Sequence, residues 1–208
     1  MTVQKTKFDV QPLFVEPIVR VSLAGAIDKT QINFIKNLKM VKNRTNLISE
    51  DLYIFENPQL ALLKSAIQDA LDFYADIVMG ISQKLYITQS WALANPPGDG
   101  MHGHSHSNSV ISGSFYYDEL PKPGANMVFD RHNTYQRLAL YPDPDKHNLY
   151  NTPASVVEPK THDLILFCSS LQHRVEPNVT KKPRYSLAFN TFIKGKIGDY
   201  RDVSELNL

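Results

Sequence analysis

The sequence predicts a mainly β fold of the α+β kind, a small barrel or two-sheet sandwich with helices packed against it. Three observations carry that reading: helical periodicity confined to the N-terminal half, a change at Leu85 to short β-rich runs, and proline, glycine and asparagine between those runs. With 208 residues the chain is long enough for one domain with a sizeable core. A single domain over 1–208 is expected, with residues 1–84 as mainly helical support and residues 85–195 as the β core.

The clearest helix is "NPQLALLKSAIQDALDFYADIVMGI". Asn57 can cap it, Pro58 suits its first turn and Gly80 suits its stop. Leu60, Leu63, Ile67, Leu71, Tyr74 and Val78 recur at threes and fours, which is one face of a long amphipathic helix. A shorter helix is expected from Lys29 to Met40, capped by Asp28 or Thr30. Beyond Leu85 the runs "LYITQSWALAN", "VISGSFYY", "NMVFD", "DLILFC", "HRVEP" and "RYSLAFNTFI" read as strands, several of them alternating. Between the third and fourth lies a polar, proline-rich stretch from Arg131 to Val157. Its length suits a substrate-covering loop.

Composition narrows the function. Lysine and arginine total 22 against 21 aspartates and glutamates, so nucleic acid and anionic membranes are not favoured partners. Cys168 is the single cysteine, which leaves no pair for a disulfide and no thiolate set for zinc, and fits a cytoplasmic setting. The N-terminus lacks the apolar core of a signal peptide, and no stretch approaches the ~18 apolar residues of a membrane span. The glycosylation sequons at Asn43 and Asn178 carry no weight in such a setting.

The chemistry begins at "GDGMHGHSHSNSVISGSFYYD". His102, His104 and His106 place three of the chain's seven histidines within five residues. On extended chain a period of two puts them on one face, where a neighbouring pair can chelate one ion. The other reading of this segment alone is a solvent-facing polar loop. A second segment, "PKTHDLILFCSSLQHRVEPNVTKKPRYSLAFNTF", bears on the choice. It supplies a distant His173 and then Arg184 at the head of a strand on which Arg184, Ser186, Ala188 and Asn190 share a face. An arginine fork with a nearby hydroxyl, pointing into a β core, is a good receptor for a carboxylate.

With these residues in view, the chain resembles the iron(II)- and 2-oxoglutarate-dependent oxygenases. It resembles in particular a branch found in bacteria and phages with a HxHxNSxxSGxxY stretch and a later HxVxPN…RxSxxFN stretch. Here those run from His104 to Tyr116 and from His173 to Asn190. The resemblance spans roughly Trp91 to Phe192 and reaches the helical part only in outline. It implies a double-stranded β-helix, or jelly roll, over the β core. It further implies a metal held at one open end by His104, His106 and His173, with iron(II), 2-oxoglutarate and dioxygen as cofactor and co-substrates. Arg184 would pair with the far carboxylate of 2-oxoglutarate, Ser186 would add a hydrogen bond, and Tyr116 matches a tyrosine that related oxygenases place on 2-oxoglutarate. Ser112 and Ser114 share its strand face. The reaction implied is hydroxylation of a prime substrate with formation of succinate and carbon dioxide, in the cytoplasm, or in a host cytoplasm for a phage-encoded chain.

Two departures stand out against that family. Its ligand pair is ordinarily histidine, any residue, then a carboxylate; here the second place is His106. Downstream register makes His104 and His106 the pair and leaves His102 spare, although a pair of His102 and His104 has the same spacing. Three neutral ligands also leave iron(II) with its full charge. The second departure is His162, where the family has glycine before "LILF"; it reads as structural. A cupin with a three-histidine metal site is the alternative enzyme, but it lacks its expected glutamate and assigns Arg184 no task. A zinc hydrolase of the HxHxDH type fails at Ser107 and Asn108. A metal-stabilised interaction module without catalysis is the remaining alternative.

Overall fold

The alternation read along the strands is resolved by two antiparallel sheets laid face to face. The computed structural model of the chain describes residues 9–131 and 142–208. In chain order the elements are β1 (Ile18–Ser22), α1 (Lys29–Lys36), β2 (Met40–Lys42), β3 (Leu47–Ser49), α2 (Ala61–Phe73), β4 (Lys84–Asn95), β5 (Met101–His104) and β6 (Ile111–Phe115). There follow β7 (Met127–Asp130), β8 (Ala154–Val157), β9 (Asp163–Cys168), β10 (His173–Val175), β11 (Arg184–Lys194), β12 (Lys196–Ile197) and β13 (Leu206–Asn207). The larger sheet has seven strands in the order β1-β9-β6-β11-β4-β3-β2, and the smaller has four in the order β5-β10-β7-β8. This mainly β, helix-backed sandwich is the jelly-roll architecture that the resemblance implied.

Each face of the large sheet has its own core. On one side α2 lays Leu63, Ile67 and Leu71 against Phe115, Leu164, Leu166, Leu187 and Phe189. The three helix residues are each 0% exposed, and full burial of such a side chain stabilises by about 1.5–3 kcal/mol. On the other side Ile165 and Phe167 of β9 meet Met127 and Phe129 of β7 across the sandwich, with Tyr116 and Leu171 between. Leu164 to Phe167 are therefore buried on both faces of β9. That is why the run reads as continuously apolar, with no alternation.

The central pairing is β11 on β4, which sets Arg184 opposite Asn95, Ser186 opposite Leu93 and Ala188 opposite Trp91. On the other flank of β11, Ala188 lies opposite Ser114 and Phe189 opposite Gly113. A Cβ on Gly113 would stand 2.2 Å from Cζ of Phe189. Only glycine lets that ring lie flat on the neighbouring strand.

The helical layer follows its sequence signals with shifts at the ends. Asp28 caps α1, and Asp28 and Gln31 form a capping box that satisfies two N-terminal donors reciprocally. The helix stops at Lys36, short of the expected Met40, because Met40 and Val41 pair with Ser49 and Ile48. Asn57 accepts from the Gln59 amide ahead of a 3-10 turn at Pro58–Leu60, and the last turn, Tyr74–Met79, widens to π geometry before Gly80 at φ 65°.

Four strands of the two packed sheets carry no readable pattern in the sequence, and neither do the two-residue strands β12 and β13, which pair with each other. β1, β2 and β3 come from the stretch expected to be mainly helical, and β8 falls inside the stretch expected to be a loop. Each has three to five residues, too few for a periodicity, and each is ordered by a partner's ladder. In that loop stretch, residues 132–141 lie outside the described residues, and Ala154–Val157 pair with Asp130–Met127.

Candidate active site

The histidine comb does not form one regular strand. His102 and His104 belong to β5, whereas His106 lies beyond its end and is held by its own amide, which donates to the Ser169 carbonyl at 2.9 Å. His173 is the first residue of β10, paired with His104 on one side and Phe129 on the other. The ring centroids of His104 and His173 are 4.4 Å apart, those of His104 and His106 5.0 Å, and those of His106 and His173 5.2 Å. One ring nitrogen from each of the three lies within 4.8 Å of the others, which is the spacing of donors around one ion.

The protonation state suits that use. Nδ1 of His104 donates to the His102 carbonyl at 2.8 Å, and Nδ1 of His173 donates to the Leu171 carbonyl at 3.0 Å. In both cases the ring reaches back to the carbonyl two residues earlier in the chain, which fixes the tautomer and leaves Nε2 with a free lone pair. Burial holds His104 below its ordinary pKa. Burial, with the neighbouring His104 charge, pushes His106 down to about 4, and burial pushes His173 down to about 3. All three are neutral donors near pH 7, and three imidazoles with no carboxylate suit a divalent first-row metal. His102 stands beside them with its ring 5.3 Å from His104, but its Nε2 faces Arg44 at 3.5 Å.

Arg184 is 2% exposed although it carries a full charge. Its Nη2 donates to the Tyr116 hydroxyl at 3.1 Å and its Nη1 approaches Oδ1 of Asn95 at 3.5 Å, while the guanidinium lies over the Tyr116 ring, 4.8 Å from the centroid. Its buried Nε has no partner. No ion pair among the described residues involves it. A buried guanidinium without a counter-charge costs several kcal/mol, so its surroundings are built for an anion. Ser186 lies two residues along on the same face, 1% exposed.

These groups line one cavity of about 220 Å³, which holds His104, His106 and His173 together with Arg184, Ser186 and Tyr116. All six residues expected to bind metal or co-substrate thus meet in one place. The donor set fits the iron and the 2-oxo acid: three convergent imidazole nitrogens for an ion, and a guanidinium with an orphaned N–H for a carboxylate. Ser114 lines the cavity too. Ser112 does not, because its hydroxyl is engaged by Ser169 and by Oδ1 of Asn190.

Other residues were not legible as site components. Asn95 accepts from Arg184 and donates to the Gly100 carbonyl at 3.0 Å. Asn178, completely buried, donates from Nδ2 to the backbone carbonyls of Asn95 and Lys182, both at 2.8 Å. The sequon asparagine is therefore a clamp holding the Arg184 partner in place. His162 sits outside the cavity at φ 67°. Its backbone donates to the Tyr116 carbonyl at 2.7 Å and accepts from the Leu23 amide at 2.8 Å. The left-handed conformation explains why glycine suits this place.

Comparison with known proteins bears on these residues. A family described as "Putative 2OG-Fe(II) oxygenase" matches residues 89–190, a span that includes all the histidines of the cavity and Arg184. No curated protein matches the chain. Among solved structures, the chain is similar to a 2OG-Fe(II) oxygenase family oxidoreductase from Burkholderia pseudomallei, with TM-score 0.59 and 13% identity over 84% of this chain and 83% of that one. HygX from Streptomyces hygroscopicus, solved with nickel, 2-oxoglutarate and hygromycin B bound, gives TM-score 0.59 and 13% identity, covering 85% and 82%. A Pseudomonas putida prolyl-4-hydroxylase gives TM-score 0.53 and 13% identity, covering 84% and 92%. At such identities these likenesses speak for the fold.

Proposed function

We infer, from the membership of residues 89–190 in the 2OG-Fe(II) oxygenases, that this iron(II)- and 2-oxoglutarate-dependent enzyme holds its metal on His104, His106 and His173. In the same reading it holds its co-substrate on Arg184, with Ser186 and Tyr116 beside it. The observation that supports this most is Arg184: a buried cation with an orphaned N–H, in the same cavity as three convergent imidazoles. A cupin gives that cation nothing to do.

When bound, iron(II) and 2-oxoglutarate supply dioxygen activation with oxidative decarboxylation to succinate and carbon dioxide, and the product we propose is a hydroxylated substrate. The protein's own residues do the rest. The carbonyls of His102 and Leu171 hold two imidazoles in the tautomer that presents Nε2. Burial keeps all three rings unprotonated, so no proton competes for the ligand positions. Arg184 offers its fork to a carboxylate, and Tyr116 braces the guanidinium from its face and through its hydroxyl. Met127, Phe167, Trp91 and Val175 line the cavity and limit water at the reacting centre.

We take residues 1–208 as one functional domain. The support is that β1, β2 and β3 extend the large sheet and α2 covers its back. Among the described residues no helix is long and apolar enough to cross a membrane. A cytoplasmic setting, or a host cytoplasm for a phage-encoded chain, is supported by the single cysteine.

The test is anaerobic addition of iron(II) and 2-oxoglutarate. The visible charge-transfer absorption of the chelate is the expected result, and its absence overturns the reading.

A further inference from the structure

Building on the oxygenase reading, we propose that the prime substrate carries an anionic group, a carboxylate or a phosphate ester, received at the cavity rim by Arg44, Asn46 and His102. Three buried polar side-chain atoms of the described residues have no hydrogen-bond partner: Nε of Arg184, Nδ2 of Asn46 and Nδ1 of His102. All three residues line the same cavity. The first is explained by 2-oxoglutarate; the other two are not.

Their chemistry is of one sign. Asn46 is 3% exposed, and its Oδ1 accepts from Nδ2 of Asn43 at 3.2 Å, so its orphaned NH2 is a donor. His102 meets Arg44 through Nε2 at 3.5 Å. A guanidinium can only donate, so Nε2 accepts, the proton sits on Nδ1, and Nδ1 is a donor as well. Arg44 is exposed, at the turn between β2 and β3, and has no ion pair among the described residues. Three donors whose only neighbouring acceptors, Oδ1 of Asn46 and Nε2 of His102, are already engaged call for an acceptor-rich ligand.

The charge of the whole cavity agrees. No aspartate or glutamate lines it, and two arginines do. Asp99 lies in the neighbouring cleft with Lys42 and Arg44. The three convergent imidazoles add no negative charge either. A bound 2-oxoglutarate dianion offsets the ion's charge and leaves the cavity cationic, which favours an anionic substrate.

The test uses the full chain with iron(II) and 2-oxoglutarate under anaerobic conditions, probed with phenylacetate, phenyl phosphate and the neutral phenylacetamide. Trp91, the single tryptophan, lines the cavity with its ring 6.2 Å from that of His106, and its emission reports a second ligand. The expected result is saturable binding of at least one anion about tenfold or more tighter than the amide. Which anion binds separates carboxylate from phosphate. Arg44→Gln and Asn46→Asp should each weaken that anion about tenfold or more while the chelate absorption is unchanged. Equal binding of anion and amide, no binding of either anion, or indifference to Arg44→Gln, each with the chelate band present, overturns the proposal. Absence of the chelate band in the unaltered protein removes the oxygenase reading itself.

Discussion

His104 and His173 are direct partners across the antiparallel β5–β10 pairing, and their rings stand 4.4 Å apart. Residues separated widely in the chain are thus joined by sheet register, whereas His106 reaches the pair from outside the strand through its amide bond to Ser169. Two ligand positions are therefore set by a ladder and one by a loop.

Alanine at His104, His106 or His173 should each abolish stoichiometric iron binding, while His102→Ala retains it. Metal content after anaerobic loading is the measurement. If His102→Ala loses iron and His106→Ala keeps it, the pair is His102 and His104 and the register is wrong by two residues.

His106→Asp should retain iron, because two histidines and one carboxylate form a facial set that holds non-haem iron(II). It also lowers the positive charge of the site. Iron-to-protein stoichiometry reads this out, and complete loss of metal would show that the loop carrying His106 cannot bring the shorter side chain within reach.

Arg184→Lys should weaken 2-oxoglutarate by about 10- to 100-fold, since a lysine cannot make two parallel hydrogen bonds and one charged bond is worth about 1.5–3 kcal/mol. Titration of the chelate absorption measures it. Equal affinity would remove Arg184 from the carboxylate site.

Metal-free protein should lose stability as pH falls. His106 and His173 have folded pKa values pushed down to about 4 and about 3 from an ordinary 6.5, so between those limits the unfolded chain binds more protons than the folded one. Stability contributed by the neutral rings is then present above pH ~6.5 and lost as pH drops through the window below it. Thermal melts in chelator across pH 8 to 5 should show the decline, and His173→Gln should flatten part of it. A curve identical to that of the variant would contradict the shift.

His162→Gly should raise stability by about 0.5–1 kcal/mol, because a side chain at φ 67° pays a left-handed penalty that glycine avoids. A rise in Tm of about 2 °C is expected for a chain of this size, with iron and 2-oxoglutarate binding unaltered. A fall would reveal a role for the imidazole.

The parts of this fold visible in the sequence are those whose residues act in series. β4 and β11 show their alternation over 12 and 11 residues, and α2 repeats one apolar face over 13. Arg184, Ser186, His104 and His173 could be picked out because rare residue types fell at a family's spacing. Asn46, Asn95 and Asn178 could not, since a lone asparagine becomes informative only when its amide is found buried against a particular backbone. The short strands β1, β2, β3 and β8 stayed hidden because their conformation comes from a neighbour's ladder.

Gly113 has a consequence for how this protein could change over time. It faces the cavity, and the Phe189 ring presses on its other side within the core shared with α2. At that point the partition between the reaction chamber and the helical foundation is one peptide thick. A larger side chain at position 113, or a swollen ring at position 189, would push the chamber wall inward. Substrate range and helix packing are thus inherited together here, and a remodelled chamber would need its compensating substitution in Phe55, whose ring lies 6.1 Å from Phe189, or in the helix behind it.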